Sequence, residues 1–190
     1  MTQTESDRLI ERLRSGDAAA FDCVYVAEKA GIYGFLLRLS RDRHVAADLF
    51  QNVWLKLAKG AAQLRPDSNV RAWLYTIARR EYLSYRRAQA FDTSRILAFG
   101  LTQPDTSPLD TGDAEVLAIE AALARSSDAD REVLLLSATD TGDPAAVAEI
   151  LGISAAALRQ RLFRARRRLA ELLEETDVHQ ALPNPPTRSR

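Results

Sequence analysis

The sequence predicts an all-α chain of two small helical domains joined by a flexible linker. Three observations carry this. Apolar residues recur at helical spacing, with few β-branched alternating runs. Short acidic or hydroxyl residues and glycines stand where the periodic stretches begin and end. Residues 91–113, FDTSRILAFGLTQPDTSPLDTGD, interrupt the pattern with two prolines and two glycines among Thr, Ser and Asp. The expected division is therefore 1–90 as the first domain, 91–113 as linker, 114–176 as the second domain and 177–190 as a disordered tail.

In the first domain, helices are expected near 5–14, 18–39, 43–60 and 68–89. Residues 18–26 are apolar, so Cys23 is expected to be a small buried residue. It is the single cysteine in 190 residues, which forbids an intramolecular disulfide and argues against a cysteine zinc site. On 43–60, Val45, Leu49, Val53 and Leu57 form a core stripe broadened by Phe50 and Trp54. Asp48, Gln51 and Leu55 face away, with Asn52 and Ala58 nearby. An outward leucine among polar groups is either a single harmless exposure or part of a protein docking face.

Arg65-Pro66-Asp67-Ser68 ends that helix, and Asp67 or Ser68 is expected to cap the next. The following helix interleaves Trp73, Leu74, Tyr75, Ile77, Tyr82 and Tyr85 with Arg71, Arg79, Arg80, Arg86 and Arg87. Val70, Trp73, Leu74 and Ile77 are expected to be buried, with Tyr75, Arg79 and Arg86 on the opposite side. Aromatic rings among cations suit single-stranded nucleic acid, whose bases stack while arginines hold the backbone. The alternative is half-buried core aromatics beside solvated arginines. The loop 64–69 offers a place for a base turned out of its stack.

In the second domain, helices are expected at 114–125 and about 128–138, where Ser127 and Asp130 have capping-box spacing. Asp143-Pro144 then supplies a cap and a first helical residue for 145–151, Gly152 a stop, and Ser154 the opening of a helix to about Glu175. Short helix, tight turn and second helix make a helix-turn-helix, whose second helix enters the major groove. Leu158, Leu162, Ala165, Leu169 and Leu173 form its inner stripe. Opposite lie Ala156, Gln160, Arg164 and Arg167. Small Ala156 and Ala157 allow close approach after Ser154, and Gln160 and Arg164 reach base edges. Arg159, Arg161, Arg166 and Arg168 flank them at phosphate positions.

Net charge is zero, but its distribution is not even. Residues 61–90 hold six basic and two acidic side chains, 91–149 three and twelve, and 150–168 six and none. Two basic islands flank an acidic middle, which points to an anionic partner. The acidic middle is also expected to lie over the basic helices in the free protein. The N-terminus lacks a signal-peptide layout and no apolar run reaches membrane-spanning length, which predicts a cytoplasmic protein. His44 and His179 have no nucleophile or metal constellation around them, so neither enzyme activity, metal nor cofactor is expected.

Taken together, Gly16-Asp17 with Ala20-Phe21, DLFQNVWLKL (48–57), RAWLYTIARR (71–80), REVLLL (131–136) and AEILGISAAALRQRLFRARRRL (148–169) resemble the bacterial extracytoplasmic-function sigma factors, which keep only regions two and four. The resemblance implies a transcription initiation subunit without catalysis of its own. Its implied partners are core RNA polymerase, through clamp helices and flap, promoter DNA and an anti-sigma factor, with a monomer when free. It assigns Asp48, Gln51, Asn52 and Leu55 to polymerase docking, the arginine-aromatic helix to the minus-ten element and the last helix to the minus-thirty-five element. Asn52, Arg80 and Ser84 depart from the Glu, Asn and Asp common in the family. Two rival classes are a sigma-like decoy for an anti-sigma protein and a dimeric helix-turn-helix repressor on a palindromic site.

Overall fold

The computed structural model describes residues 3–96, 114–139 and 143–181, with side chains described for fewer residues at the ends of these segments. The described residues form eight α-helices: α1 Gln3–Arg14, α2 Ala18–Ser40, α3 Arg43–Gly60, α4 Val70–Ile96, α5 Ala114–Arg125, α6 Asp128–Ala138, α7 Pro144–Leu151 and α8 Ala155–Ala181. A 3-10 turn, Ala61–Gln63, follows α3. Most of the linker and the final residues lie outside the described residues. The linker's first residues continue α4 to Ile96, and the first residues assigned to the tail continue α8 to Ala181.

Helix starts follow the local chemistry. Asp17 accepts from the amides of Ala19 and Ala20, and Asp42 from those of His44 and Val45, so two otherwise unpaired donors are satisfied at each start. At α4 the cap is neither Asp67 nor Ser68. Asn69 Oδ1 accepts from Ala72 N–H at 3.0 Å, while Ser68 Oγ turns back to accept from Arg65 N–H at 3.0 Å and closes the loop. At α6, Ser127 accepts from the Asp130 amide, the expected cap.

Helices α2, α3 and α4 pack around Ile32, Leu36, Val53, Leu57 and Leu74, all essentially sealed. Phe21, Tyr25, Phe50 and Trp54 extend this core as edge-to-face and tilted aromatic pairs, Tyr25 and Trp54 with centroids 4.8 Å apart. Helices α5 to α8 pack around Leu123, Val133, Leu136, Ile150, Leu158 and Ala165. The corner between α5 and α6 is held by Arg131, only 4% exposed. Its guanidinium donates to the carbonyls of Leu123, Ala124 and Ser126 and to Asp128, satisfying the end of α5.

The two halves are packed on each other: α4 lies against α7 and α2 against α6. Buried residues of both halves belong to one continuous apolar cluster.

Cys23 is exposed, contrary to the expectation of burial. The buried positions at the start of α2 are Ala20 and Val24, one turn apart, which leaves Cys23 and Val26 on the outer side.

Candidate nucleic-acid interface

The helix-turn-helix forms from its own punctuation. Asp143 accepts from Ala145 N–H at 2.9 Å and Pro144 opens α7. Gly152 sits at φ +67°, where a side chain is strained, and ends the helix. Its N–H donates to Glu149 O and that of Ile153 to Ala148 O, both at 3.0 Å, closing the turn. Ser154 Oγ then accepts from Ala157 N–H at 3.2 Å and starts α8. Leu158 and Ala165 are buried, with Leu162, Leu169 and Leu173 half-buried beside them.

On the other side of α8, Ala156, Gln160, Arg164 and Arg167 are exposed, as are Ser154, Arg159, Arg166 and Arg168, while Ala157 and Arg161 are half-buried. One flanking and one outward cation have carboxylate neighbours. Arg168 meets Asp130 of α6 at 2.8 Å and Arg167 meets Glu171 one turn on at 3.3 Å. Sequence reasoning missed Phe163. It is 68% exposed and lines a shallow concavity with Arg159, Gln160 and Arg164, beside the outward face. The signal was present: at about 100° per residue Phe163 falls between Ala156 and Arg159, away from the leucine stripe.

On α3, Leu49, Val53, Trp54 and Leu57 are buried, which turns Asp48, Gln51, Asn52 and Leu55 outward as a group. Leu55 is 55% exposed, a large apolar side chain ringed by polar ones.

Helix α4 departs most from expectation. Tyr75 is not on an outer face: it is 3% exposed, its ring edge-on to Phe35 of α2 and its hydroxyl over Gly31, where a Cβ would come within 2.8 Å. Burial pushes its hydroxyl pKa up to about 12. Tyr82 is buried as well and shifted the same way, chiefly by desolvation. Trp73 is half-buried against Gly60.

The arginines of α4 divide into two sets. Arg71 Nε holds both oxygens of Glu28 on α2, at 2.8 and 2.9 Å. Arg79 Nε donates to Glu132 of α6 at 2.8 Å, and Arg86 to Asp128 of α6, a contact that raises the Arg86 pKa further. These three are engaged by carboxylates of the chain itself, whereas the sequence expected Arg79 and Arg86, with Tyr75, on an open face. Arg80 and Arg87 are exposed, and so is Arg86 in spite of its ion pair. In the loop 64–69, Leu64 is buried, and Arg65, Pro66 and Asp67 are exposed.

One chain therefore holds an open, arginine-lined second helix on a helix-turn-helix and, separately, an arginine-aromatic helix beside one with an outward polar row around Leu55. Residues 24–91 match the Sigma-70 region 2 family model and residues 117–169 the Sigma-70 region 4 model. The chain belongs to the sigma-70 family. It is an alternative sigma factor of the extracytoplasmic-function type and directs transcription initiation.

Among relatives of this sigma factor, the RNA polymerase sigma factor YlaC of Bacillus subtilis is 33% identical over 142 residues, covering 71% of this chain and 81% of that protein. The ECF RNA polymerase sigma factor SigK of Mycolicibacterium vanbaalenii is 26% identical over 168 residues, covering 85% and 86%. In fold it is similar to the sigma factor RpoE from Bartonella quintana, solved in complex with the anti-sigma factor NepR. The TM-score is 0.71 at 26% identity, over 81% of this chain and 96% of that one. Sigma factors are not known as enzymes, and among the described residues no helix is long and apolar enough to cross a membrane.

Proposed function

We propose that this sigma factor docks core RNA polymerase through Asp48, Gln51, Asn52 and Leu55, and grips promoter DNA at two sites in two different states. The outward row on α3 meets the polymerase clamp helices, with Leu55 as the apolar anchor inside a polar rim. Helix α8 reads the minus-thirty-five element as duplex, and Gln160 and Arg164 supply paired donors to base edges. Arg159, Arg161 and Arg166 lie along the phosphates and set affinity rather than sequence. Helix α4 holds the minus-ten element as a single strand through Arg79, Arg80, Arg86 and Arg87, with Trp73 and the loop before it available for an unstacked base. The two modules are divided by the linker 91–113, and the protein works in the cytoplasm without catalysis of its own.

The observation that carries this reading is the open face of α8. Gln160 and Arg164 are exposed beside Phe163, on a helix whose opposite side is fixed by buried Leu158 and Ala165. A structure with those two side chains packed into protein is incompatible with base reading. An anti-sigma factor as regulator is supported by the fold shared with RpoE, a protein solved in complex with NepR.

The test is abortive transcription with purified core polymerase across a promoter library. A promoter-dependent product whose upstream element shifts when Arg164 is replaced is the expected result. No product, with anti-sigma binding intact, leaves a decoy; a dimer on a palindromic site without polymerase leaves a repressor.

A further inference from the structure

Helices α2, α4, α5 and α6 leave a crevice between them. Its volume is about 530 Å³, within the range of small-molecule sites. Phe35 of α2, Tyr75 of α4, Ile119 and Leu123 of α5 and Leu135 of α6 make its walls apolar. Phe35 and Tyr75, edge-to-face at 5.3 Å, give one wall aromatic character. Ala27, Gly31 and Ala138 also line the crevice and are exposed, so it is reached from solvent.

The charged groups around it are matched. Arg71 holds both oxygens of Glu28, and Arg38 Nε donates to Glu120 at 2.7 Å. All four line the crevice, two cations against two anions. An ion entering there would lose hydration and find its counter-charges already engaged. An uncharged molecule avoids that cost.

The hydroxyl of Tyr75 is not matched. The residue is buried, yet among the described residues its hydroxyl has no hydrogen-bond partner. Thr139, which also lines the crevice, donates to Leu136 O at 2.6 Å. The Tyr75 hydroxyl stands in the space left by Gly31, where a Cβ would come within 2.8 Å of it. Burial raises its pKa to about 12, so it keeps its proton at neutral pH. Buried polar groups are nearly always hydrogen-bonded, and a donor without an acceptor beside a reachable space calls for one from outside.

We propose that this crevice binds a small uncharged carbonyl compound, an aromatic ketone or amide. Tyr75 donates to the carbonyl oxygen, and Phe35, Leu123 and Leu135 enclose the ring. The site lies apart from the outward rows of α3 and α8 and goes beyond the function proposed above. Its walls come from four helices, so a bound molecule stabilises the folded chain by mass action.

The probes are acetophenone and ethylbenzene, which are nearly equal in shape and differ by the carbonyl. Each is titrated into the isotope-labelled full chain while amide resonances are followed by NMR. Acetophenone should shift the amides of Gly31, Phe35 and Thr139 with a Kd on the order of 1 mM, as its size allows. Tyr75→Phe keeps the ring and removes the donor. In it the ratio of acetophenone to ethylbenzene affinity should fall about 3–10-fold. Ala138→Phe puts bulk into the crevice from an exposed position and should abolish both titrations. It tests the site by itself if Tyr75→Phe does not fold, as judged by helical circular dichroism. Acetophenone should also raise the melting temperature of the unaltered chain and leave that of Ala138→Phe unchanged.

No shift at these amides would mean that the crevice holds water only, which overturns the proposal. Shifts that survive Ala138→Phe overturn it as well, for the probe then binds elsewhere. An affinity ratio unchanged in Tyr75→Phe removes the hydroxyl from the site and with it the ligand class. None of these readouts involves polymerase or promoter, so failure here leaves the sigma-factor reading standing.

Discussion

Helices α4 and α8 are both 27 residues long and both rich in arginine, yet the fold treats them in opposite ways. The face of α8 that carries Gln160, Phe163 and Arg164 is open to solvent. On α4, Arg71, Arg79 and Arg86 are held by Glu28, Glu132 and Asp128, and Tyr75 and Tyr82 are buried. On the proposed reading, the difference matches the two states of DNA. Duplex is present before any opening, and a groove-reading helix must match its shape, so little is gained by hiding it. A stacking site with arginines binds any bared strand with little regard to sequence, so an exposed one is promiscuous.

The largest test of this contrast is Leu136→Ala. Leu136 is fully buried in the cluster shared by both halves. A cavity there should cost about 2–5 kcal/mol in urea unfolding. Because Trp54 and Trp73 report the first half, their fluorescence should shift together with the helical signal. Tryptophans that keep the original midpoint would show that the halves do not share a core and that α4 is not covered in solution.

Next in size, Arg164→Ala should relax discrimination at one position of the upstream duplex by about 1–3 kcal/mol. Arg166→Ala should instead weaken all sequences alike and lower the salt slope by about 1. Competition binding at several salt concentrations separates the two. Equal losses of discrimination would erase the distinction between the base-reading and phosphate-holding sides of α8.

Gly152→Ala places a side chain at φ +67°, a left-handed conformation costing about 1 kcal/mol or somewhat more. It should lower the melting temperature and weaken duplex binding while leaving affinity for single strands unaltered. A loss in both would mean that the turn positions more than α8.

Tyr75→Phe gives the smallest effect, visible only in alkali. The Tyr75 hydroxyl is raised from 10.0 to about 12 by burial, so the folded state favours the neutral form. That contribution is complete below pH 10 and is lost as pH rises through 12. Unfolding midpoints measured from pH 9 to 12 should fall less steeply in the phenylalanine variant. A Tyr75 that titrates near 10 with unshielded tyrosines would place it outside, as the helical wheel had suggested.

The helices and the recognition turn were legible because their signals are local. Ser127, Asp143, Gly152 and Ser154 each act on amides or carbonyls within a few residues, and each does so in the structure. The outward group on α3 was legible for the same reason: one broad apolar stripe defines one opposite side. On α4 that logic fails, since the helix is packed by α2 and α3 on one flank and by α7 on another, and no single opposite side exists. Tyr75 and the partners of Arg79 and Arg86 depend on elements more than thirty positions away, which no local period encodes. Cys23 was misplaced because a run such as Ala18-Ala19-Ala20 has no phase: equal small residues do not say which of them turns inward. Phe163 was overlooked among the arginines, although its angle alone marked it.

Asp128 has two guanidinium neighbours. One oxygen lies against Arg86 and the other accepts from Arg131 at 3.1 Å. Were α4 to move away, this carboxylate would keep a counter-charge, for Arg131 lies beside it at the end of α5. Such a separation would leave no orphaned anion there, and the corner on which α6 is mounted would be kept.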